Sequence, residues 1–466
     1  MAVTTVACIG AGYVGGPTMA VLAFKCPHIR CIVLDVNPAQ IDRWNSDNLP
    51  VYEPGLHSIV SQCRNRNLFF SADLPTHLSQ AQVIFIAVNT PPKVSGLGAG
   101  SACDLSYFES AARAISSSMQ SAYPGVKIIV EKSTVPVRTA QFLREVIQAN
   151  VPADRPFEIL SNPEFLAEGS AVEDLLSPDR ILIGGENGDA IEVLASLYTH
   201  WVPRPRILTT NLYSSELSKL CCNAMLAQRI SSINSLSAIC EETGADVREV
   251  ARVIGADSRL GEKYLKASVG FGGSCLAKDC LSLVYISECL NLPEVASYWR
   301  QVILMNNFQR QRFSHRIIRE MHHCLRGKSI SVLGFAYKKN TADTRETSAA
   351  VVIRDLLLEG AVIRVFDPKV TRGDMLGEMG RRGFLQGVSA EQSLVTCSTA
   401  ESAVEGSSAL VVLTEWDEFL NLDFPRVYLS MEKPARIYDG RGLLPADQLR
   451  ALGFLVYTVG RPSLSS

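Results

Sequence analysis

The sequence predicts an α/β protein in which two parallel-sheet domains are joined by one long helix. Short apolar strand segments alternate with helical segments from the start of the chain, a helical pattern without proline covers residues 214–243, and a second alternation begins at residue 329. Such alternation is typical of βαβ units, whose strands lie parallel. A chain of 466 residues has room for two or three domains.

The first alternation predicts short, mainly apolar strands, which indicates burial in a sheet. The predicted strands are residues 3–9, 31–35, 83–89 and 127–131, and a helix covers residues 15–24. The pattern at 214–243 is apolar on more than one face, so we expect a helix buried between domains or subunits. It is closed by Gly244, a common residue after a helix end.

The second alternation has the same order, with a strand at 329–333, a helix at 348–358 and a strand at 362–366. From these patterns we expect three regions. Their boundaries are residues 1–212, 213–325 and 326–466.

Composition excludes several classes of protein. Lys and Arg total 45 against 47 for Asp and Glu, so the chain has no broad basic surface for nucleic acid. Glycines interrupt the apolar first two dozen residues, which predicts neither a signal peptide nor a membrane span. Thirteen cysteines, without a CxxC pair or a Cys/His zinc spacing, indicate thiols of a reducing, cytoplasmic compartment and no metal site.

A glycine-rich turn follows the first predicted strand and opens the first helix. Gly10, Gly12 and Gly15 form a GxGxxG pattern, in which the glycines permit a tight turn, close approach of a pyrophosphate, and helix–strand packing. Asp35 ends the next strand, where a carboxylate can bind the ribose hydroxyls of NAD and disfavours the 2′-phosphate of NADP. Two arginines that are near in sequence, Arg30 and Arg43, keep NADP open as the alternative to NAD.

A second glycine pair, within residues 271–279, leads into a helix and places Cys275 at its N-terminus. The helix dipole and the adjacent Lys278 are expected to lower the pKa of the thiol, which favours a nucleophile. Asp279 lies four residues later, on the same helical face as Cys275. The alternative is an inert, buried cysteine.

Polar residues also occur where the pattern predicts burial. Glu216, Lys219 and Asn223 are spaced i, i+3 and i+7 on one face of the long helix; the alternative to a functional lysine is a Glu216–Lys219 ion pair at a solvated edge. Glu164 and Glu168, like Ser133 and Thr134, follow predicted strands, whose carboxyl ends border the ligand crevice of a parallel sheet. Loop capping is the alternative for these residues.

Together these segments resemble the UDP-glucose/GDP-mannose dehydrogenase family in its eukaryotic type. The matching stretches span almost the whole chain and include GAGYVGGPT, VNTPPK, EKSTVPVR, SNPEFLAEG, LKASVGFGGSC and GFAYKKN. The resemblance implies two Rossmann-like, doubly wound domains joined by the long central helix, which would also form a dimer interface. It further implies NAD on the first domain and a UDP-sugar against the last.

The resemblance also implies a reaction: UDP-glucose is oxidised to UDP-glucuronate by two hydride transfers, through a thiohemiacetal and then a thioester on Cys275. Lys219 and Asn223 would support the oxyanion, and Asp279 would be the neighbouring acid/base. Glu164 and Thr134 would handle the water that hydrolyses the thioester.

The resemblance assigns further residues to binding. The implied cofactor contacts are Gly10, Gly12, Tyr13, Val14, Gly15, Asp35, Val88, Asn89, Thr90, Pro91, Ser133, Glu168, Lys278 and Arg345. The implied substrate contacts are Phe165, Leu166, Lys219, Asn223, Arg259, Lys266, Ser268, Phe271, Gly272, Tyr337, Lys338 and Arg441. Arg259 would reach the substrate of a neighbouring subunit, so a homodimer or larger homo-oligomer is expected.

The sequence departs from the family pattern at a few positions. Gln40 replaces an arginine beside the cofactor, Leu276 and Ala277 replace Phe-Gln, and Asn340 and Ala342 replace Asp and Gly. Two alternatives to UDP-glucose oxidation remain at this stage. One is a related enzyme for GDP-mannose or a UDP-N-acetylhexosamine, and the other is a non-enzymatic dinucleotide-binding regulator.

Overall fold

A computed structural model describes residues 3–120, 125–387 and 393–462. The chain divides into two compact units, Met1–Cys222 and Asn223–Ser466, and each is described by itself. Within the described residues, no helix is both long enough and apolar enough to cross a membrane.

The first unit contains an eight-stranded sheet with the order β3-β2-β1-β4-β5-β6-β7-β8. Its strands are β1 (Thr5–Ile9), β2 (Arg30–Leu34), β3 (Leu68–Ser71), β4 (Val83–Ile86), β5 (Lys127–Glu131), β6 (Phe157–Ser161), β7 (Ile181–Gly184) and β8 (Ile207–Thr210). Neighbouring strands are parallel except at the join between β6 and β7, where Ser161 pairs with Gly184 in antiparallel orientation. The predicted parallel sheet is therefore confirmed for the first six strands.

Helices cover both faces of this sheet, which makes it doubly wound. They are α1 (Gly15–Lys25), α2 (Pro38–Asn45), α3 (Leu56–Cys63), α4 (Leu74–Gln80), α5 (Ser106–Ser118), α6 (Thr139–Asn150), α7 (Ala171–Leu176) and α8 (Gly188–Tyr198), with a short 3₁₀ helix at Arg204–Arg206. Strand β1 shows why two cores form. Val6 and Cys8 belong to one apolar cluster, whereas Ala7 and Ile9 belong to another, because successive side chains point to opposite faces.

Strand β4 ends at Ile86, three residues earlier than the predicted strand at 83–89. The Ala87 N–H still donates to the Ile9 carbonyl, but the Val88 carbonyl accepts from the Ser133 hydroxyl instead of a strand amide. The chain therefore leaves the sheet here and enters a loop at its carboxyl edge.

The second unit repeats the topology with a parallel six-stranded sheet of order β11-β10-β9-β12-β13-β14. The strands are β9 (Ser329–Leu333), β10 (Val362–Phe366), β11 (Leu394–Thr396), β12 (Ala409–Val412), β13 (Arg436–Asp439) and β14 (Leu455–Thr458). The helices are α10 (Val247–Ala256), α11 (Leu276–Cys289), α12 (Pro293–Glu320), α13 (Ser348–Leu358), α14 (Arg372–Arg381), α15 (Ala400–Val404), α16 (Phe424–Ser430) and α17 (Ala446–Ala451), with a 3₁₀ helix at Asp417–Asn421.

The predicted long helix is α9 (Leu212–Thr243), and the boundary between the two units falls inside it. Leu220, Ala224 and Ile233 are buried, whereas Met225 and Ile239 are exposed in the single chain. The helix is thus apolar on faces that this chain buries and on faces that it leaves uncovered.

Candidate functional site

The glycine turn of the first unit leaves an open space beside its middle glycine, Gly12. A Cβ at Gly10 would lie 2.3 Å from the Ala87 carbonyl oxygen, and a Cβ at Gly15 would lie 2.0 Å from the Gly10 carbonyl oxygen. A Cβ at Gly12, in contrast, would have no neighbour within 4 Å. Gly10 and Gly15 are therefore required by packing, whereas Gly12 borders a space at the N-terminus of α1. A pyrophosphate fits there, because amides and the helix dipole favour an anion.

Asp35 follows β2 and joins this turn to the next loop. Its Oδ2 accepts the Ala11 N–H at 2.9 Å, and its Oδ1 accepts the Asn37 N–H at 2.9 Å. The side chain is half-buried. Since each carboxylate oxygen accepts more than one hydrogen bond, both keep a lone pair for ribose hydroxyls. The glycine turn and this carboxylate together fit NAD.

The loops after β4 and β5 meet at the carboxyl edge of the sheet. The Thr90 hydroxyl donates to the Thr134 carbonyl at 2.8 Å, and the Ser133 hydroxyl donates to the Val88 carbonyl at 2.7 Å. The structure therefore brings together Val88, Asn89, Thr90 and Pro91 from one loop with Ser133 and Thr134 from the other.

A buried ion pair lies at the next position along this edge. Lys132 is 2% exposed, and its Nζ is 2.7 Å from Glu164 Oε2 and 3.2 Å from Asn162 Oδ1. Burial alone would lower the pKa of Lys132, but the Glu164 carboxylate and the Tyr198 oxygen outweigh it and hold the pKa above its ordinary value. Lys132 is not among the residues that the sequence identifies as functional. The available signal was a lysine directly after a buried strand with an apolar centre.

Glu216 does not occupy the solvated edge considered from its spacing to Lys219. It is buried, and its carboxylate accepts the N–H groups of Arg138 (2.7 Å) and Ala140 (2.8 Å) at the start of α6. Burial raises the pKa of Glu216, and burial together with Glu216 raises the pKa of Glu131 well above its ordinary value. Glu216 is thus a helix cap, and the solvated ion-pair alternative is wrong for it.

Phe165 lies close to two cations in the same unit. The Arg180 guanidinium is 4.0 Å from the centroid of its ring, and Lys219 Nζ is 5.3 Å from it. These are cation–π distances. Phe165, Leu166 and Glu168 belong to the loop after β6, at the carboxyl edge that also carries Glu164.

In the second unit, Cys275 is exposed and directly precedes α11. Its Sγ is 3.5 Å from the Ser274 hydroxyl. Asp279 lies one turn later and is completely buried, with its Oδ2 accepting the Asn223 side-chain N–H at 2.6 Å. Lys278 Nζ is 3.6 Å from Asp279 Oδ1. The structure therefore joins Asn223 to Asp279, a contact that spacing along the chain does not reveal.

The segment before Cys275 is held by three side chains of α12. Asn306 accepts the Phe271 N–H at 2.9 Å and donates to the Phe271 carbonyl at 3.0 Å. Gln309 donates to the Ser268 carbonyl at 2.7 Å, and the Arg310 guanidinium donates to the Phe271 carbonyl at 2.5 Å and to the Glu346 carbonyl at 2.8 Å. Burial lowers the pKa of Arg310 to about 10. These anchors were also missed, because nothing in the pattern of α12 identifies what packs on it.

The remaining residues with an implied substrate role differ in their surroundings. A Cβ at Gly272 would lie 2.9 Å from the Tyr337 Cβ, and Arg441 Nη2 donates to the Tyr337 carbonyl at 2.8 Å. Lys338 Nζ is 5.7 Å from the centroid of the Tyr337 ring. Lys266 is exposed. Gly272, Tyr337, Lys338 and Arg441 are therefore brought together.

Two implied contact residues are paired locally with aspartates. Arg345 forms an ion pair with Asp343 at 2.6 Å, and Gly273 N–H donates to the Arg345 carbonyl at 2.9 Å. The Arg259 side chain is 86% exposed and pairs with Asp257 at 2.6 Å.

Comparison with known proteins agrees with this arrangement. Three models of the UDP-glucose/GDP-mannose dehydrogenase family match the chain: the NAD binding domain at residues 4–202, the central domain at 213–308 and the UDP binding domain at 331–446. A UDP-glucose 6-dehydrogenase of Drosophila melanogaster is 55% identical over 461 residues, which cover 98% of this chain and 96% of that protein. UDP-glucose 6-dehydrogenase 1 of Oryza sativa is 52% identical over 470 residues, covering 98% and 97%. The structure of a UDP-glucose dehydrogenase from Pyrobaculum islandicum has a TM-score of 0.84 at 29% identity and covers 99% of this chain and 98% of that one.

Proposed function

The chain belongs to the UDP-glucose/GDP-mannose dehydrogenase family, and we propose that it oxidises UDP-glucose to UDP-glucuronate with NAD as the oxidant. The observation that carries this proposal is Cys275, an exposed thiol at the start of a helix whose first turn contains the buried Asp279. Within the proposal, residues 1–212 bind NAD, 213–325 form the central region, and 326–466 bind the UDP-sugar.

An alcohol becomes a carboxylic acid through two oxidations and one addition of water. Bound NAD supplies the oxidant, since a nicotinamide ring accepts one hydride at each oxidation. In our proposal the Cys275 sulfur attacks the aldehyde carbon formed by the first oxidation and retains it as a thiohemiacetal. The second oxidation converts this adduct into a thioester. Retention matters because a free aldehyde would hydrate and escape.

The other proposed roles follow from charge and hydrogen-bonding capacity. Lys219 carries a cation and Asn223 an amide donor, and both are suited to an oxygen that develops negative charge. Asn223 also donates to Asp279, which fixes that carboxylate as an acceptor one turn after the thiol. Glu164 and the Thr134 hydroxyl handle the water that hydrolyses the thioester.

A homo-oligomer and a cytoplasmic location are also part of the proposal. Exposed apolar side chains recur in the second unit on the central helices; they are Met225, Ile239, Val253, Tyr298, Leu304 and Phe308. Exposed apolar surface of this kind is typical of protein–protein interfaces. We therefore expect at least a dimer in sedimentation at micromolar concentration. The thirteen cysteines are free thiols, which supports a reducing compartment.

The decisive experiment measures NADH formed per UDP-glucose consumed by the wild type and by Cys275→Ala. We expect two NADH per substrate in the wild type and no overall turnover in the variant, which should still bind NAD. Cys275→Ser should permit the first oxidation and stall the second stage, because an oxygen nucleophile is poorer and its ester less reactive. Cys289→Ala is the matched control, since Cys289 is an exposed thiol at the last residue of α11, the helix that Cys275 directly precedes.

Cys289→Ala should give two NADH at the normal rate. One NADH per substrate in the wild type, or normal acid formation without Cys275, would contradict the covalent route. Parallel assays with GDP-mannose and a UDP-N-acetylhexosamine test the choice of sugar nucleotide, and UDP-glucose should give the highest kcat/KM.

A further inference from the structure

We infer that Lys132 is a positioning residue for the hydrolytic step: it holds the Glu164 carboxylate in the orientation in which that carboxylate can take a proton from the attacking water. The inference rests on the proposed function. It assigns a role to a residue that the proposed chemistry did not otherwise require.

Lys132 is placed close to Glu164 by two neighbouring strands. It follows β5 directly, and Glu164 lies in the loop after the neighbouring strand β6, so both stand at the carboxyl edge of the sheet. The backbone fixes this arrangement, because the Lys132 N–H donates to the Ile86 carbonyl and the Asn162 N–H donates to the Glu131 carbonyl. Lys132 therefore approaches Glu164 from a rigid strand end.

Lys132 and Glu164 differ in how deeply they are buried. The Lys132 side chain is 2% exposed and Glu164 13% exposed, so Glu164 keeps access to solvent whereas Lys132 is sealed beneath it. A buried ammonium without a charged partner is strongly disfavoured. Glu164 is its charged partner, and the neutral oxygens of Asn162 and Tyr198 lie 3.2 and 3.4 Å from Nζ.

The two oxygens of the Glu164 carboxylate have different partners. Glu164 Oε2 is buried and lies 2.7 Å from Lys132 Nζ, whereas Oε1 accepts the Phe165 N–H at 2.8 Å. Both oxygens are thus held from the protein side. Because Oε2 is buried, Oε1 is the oxygen that can take the proton, and it keeps a further lone pair for it.

These residues serve the hydrolysis of the thioester. The water oxygen forms a bond to the acyl carbon of the Cys275 thioester, and one water proton passes to Glu164. The carbon–sulfur bond then breaks, the sulfur leaves with the electron pair, and the sugar acid is released. Lys132 exchanges no proton in this sequence; it keeps the Glu164 carboxylate in place.

The test compares Lys132→Met, Glu164→Gln and the double variant by pre-steady-state NADH formation and intact-protein mass. For Glu164→Gln we expect a burst of two NADH per active site, followed by hydrolysis slowed about 100-fold or more, because a general base is removed. Lys132→Met should give the same burst and the same UDP-glucuronyl adduct on Cys275. Its hydrolysis should be slowed about 10- to 100-fold, as for a misplaced catalytic group.

The double variant should be no slower than Glu164→Gln alone, because Lys132 acts through Glu164. Lys127→Met is the matched control. Lys127 is also 2% exposed and begins β5, the strand that Lys132 follows, but its ammonium donates to three backbone carbonyls of residues 78–81. Loss of Lys127 should lower stability without trapping an adduct. If Lys132→Met does not fold, Lys132→Gln replaces it with the same expected results.

The outcomes separate the two proposals. If Glu164→Gln hydrolyses the thioester at the normal rate, the proposed role of Glu164 is wrong. If Glu164→Gln traps the adduct but Lys132→Met turns over like Lys127→Met, the inference about Lys132 is overturned and the proposed function stands. Loss of the initial NADH burst in Lys132→Met, or additive slowing in the double variant, also overturns the inference.

Discussion

Two aspartates in equivalent positions of the two sheets should respond in opposite ways to replacement by asparagine. Asp35 follows the second strand of the first unit, and Asp367 follows the second strand of the second unit. Asp35 is half-buried and accepts two backbone N–H groups. Asp367 is buried and accepts five donors, so its carboxylate is fully occupied by the protein; the donors are the N–H groups of Phe335, Ala336, Lys369 and Val370 and the Trp416 indole N–H.

The magnitudes follow from these donors. Asp35→Asn removes a charged acceptor for the ribose, which is worth about 1.5–2 kcal/mol for a half-exposed site, or roughly 10- to 30-fold in the Kd of NAD. Its cost in stability should be about 1 kcal/mol, because water can reach the released amide. In Asp367→Asn, either orientation of the amide leaves at least two N–H groups unpaired, and at least one of them is buried. That variant should lose about 2–4 kcal/mol of stability and keep its affinity for NAD.

Cofactor affinity is measured by isothermal titration with NAD and with NADP, and stability by thermal unfolding without cofactor. Wild type should prefer NAD, and Asp35→Asn should narrow the preference, since it removes the charge that repels a 2′-phosphate. The reasoning is refuted if Asp367→Asn weakens NAD binding as much as Asp35→Asn does. It is also refuted if wild type uses NADP with a kcat/KM equal to that for NAD.

Two further predictions concern the first unit. Gly12→Ala should leave stability within about 1 kcal/mol of wild type but abolish tight NAD binding, whereas Gly15→Ala should unfold the turn. The reason is that a Cβ at position 15 would lie 2.0 Å from a backbone oxygen, whereas a Cβ at position 12 has no neighbour within 4 Å. Calorimetry of both variants with and without NAD measures the two effects. Burial and Glu216 raise the pKa of Glu131, so its contribution to stability is fully present below about pH 4.5 and is lost as the pH rises through the folded-state pKa. In Glu131→Gln the side-chain amide can donate to Glu216 without taking up a proton. The urea midpoint of this variant should therefore fall less between pH 5 and pH 8 than that of the wild type. Equal decreases in the two proteins would contradict the prediction.

The fold was predictable because it depends on local periodicity. A buried strand such as β4 is a continuous apolar run, and the glycine turn after β1 has the spacing of a dinucleotide-binding turn. Strand β4 was predicted too long, because the hydroxyl that takes over the Val88 carbonyl comes from Ser133, 45 residues away. Periodicity carries no information about such distant partners.

The site was less predictable for the same reason. Helical spacing placed Glu216 and Lys219 on one face, yet the partners of Glu216 are amides at the start of α6, 76 and 78 residues away. Likewise, the contact of Asn223 with Asp279 joins positions 56 residues apart. Spacing identifies which residues share a face, whereas the elements packed against that face decide what a buried charge does.

The surroundings of Asp35 explain why a neutral residue at position 40 is compatible with NAD. The Gln40 side-chain N–H and the Trp44 indole N–H both donate to the Ala11 carbonyl, at 2.8 and 2.9 Å, while the Ala11 N–H donates to Asp35. The peptide in the middle of the glycine turn is therefore fixed from both sides without a cation. The two arginines near Asp35 in sequence have other contacts: the Arg30 guanidinium is 5.0 Å from the centroid of the Phe69 ring, and Arg43 donates to the Leu49 carbonyl at 3.4 Å. Because the carboxylate then dominates the local charge, this end of the site favours ribose hydroxyls over a phosphate.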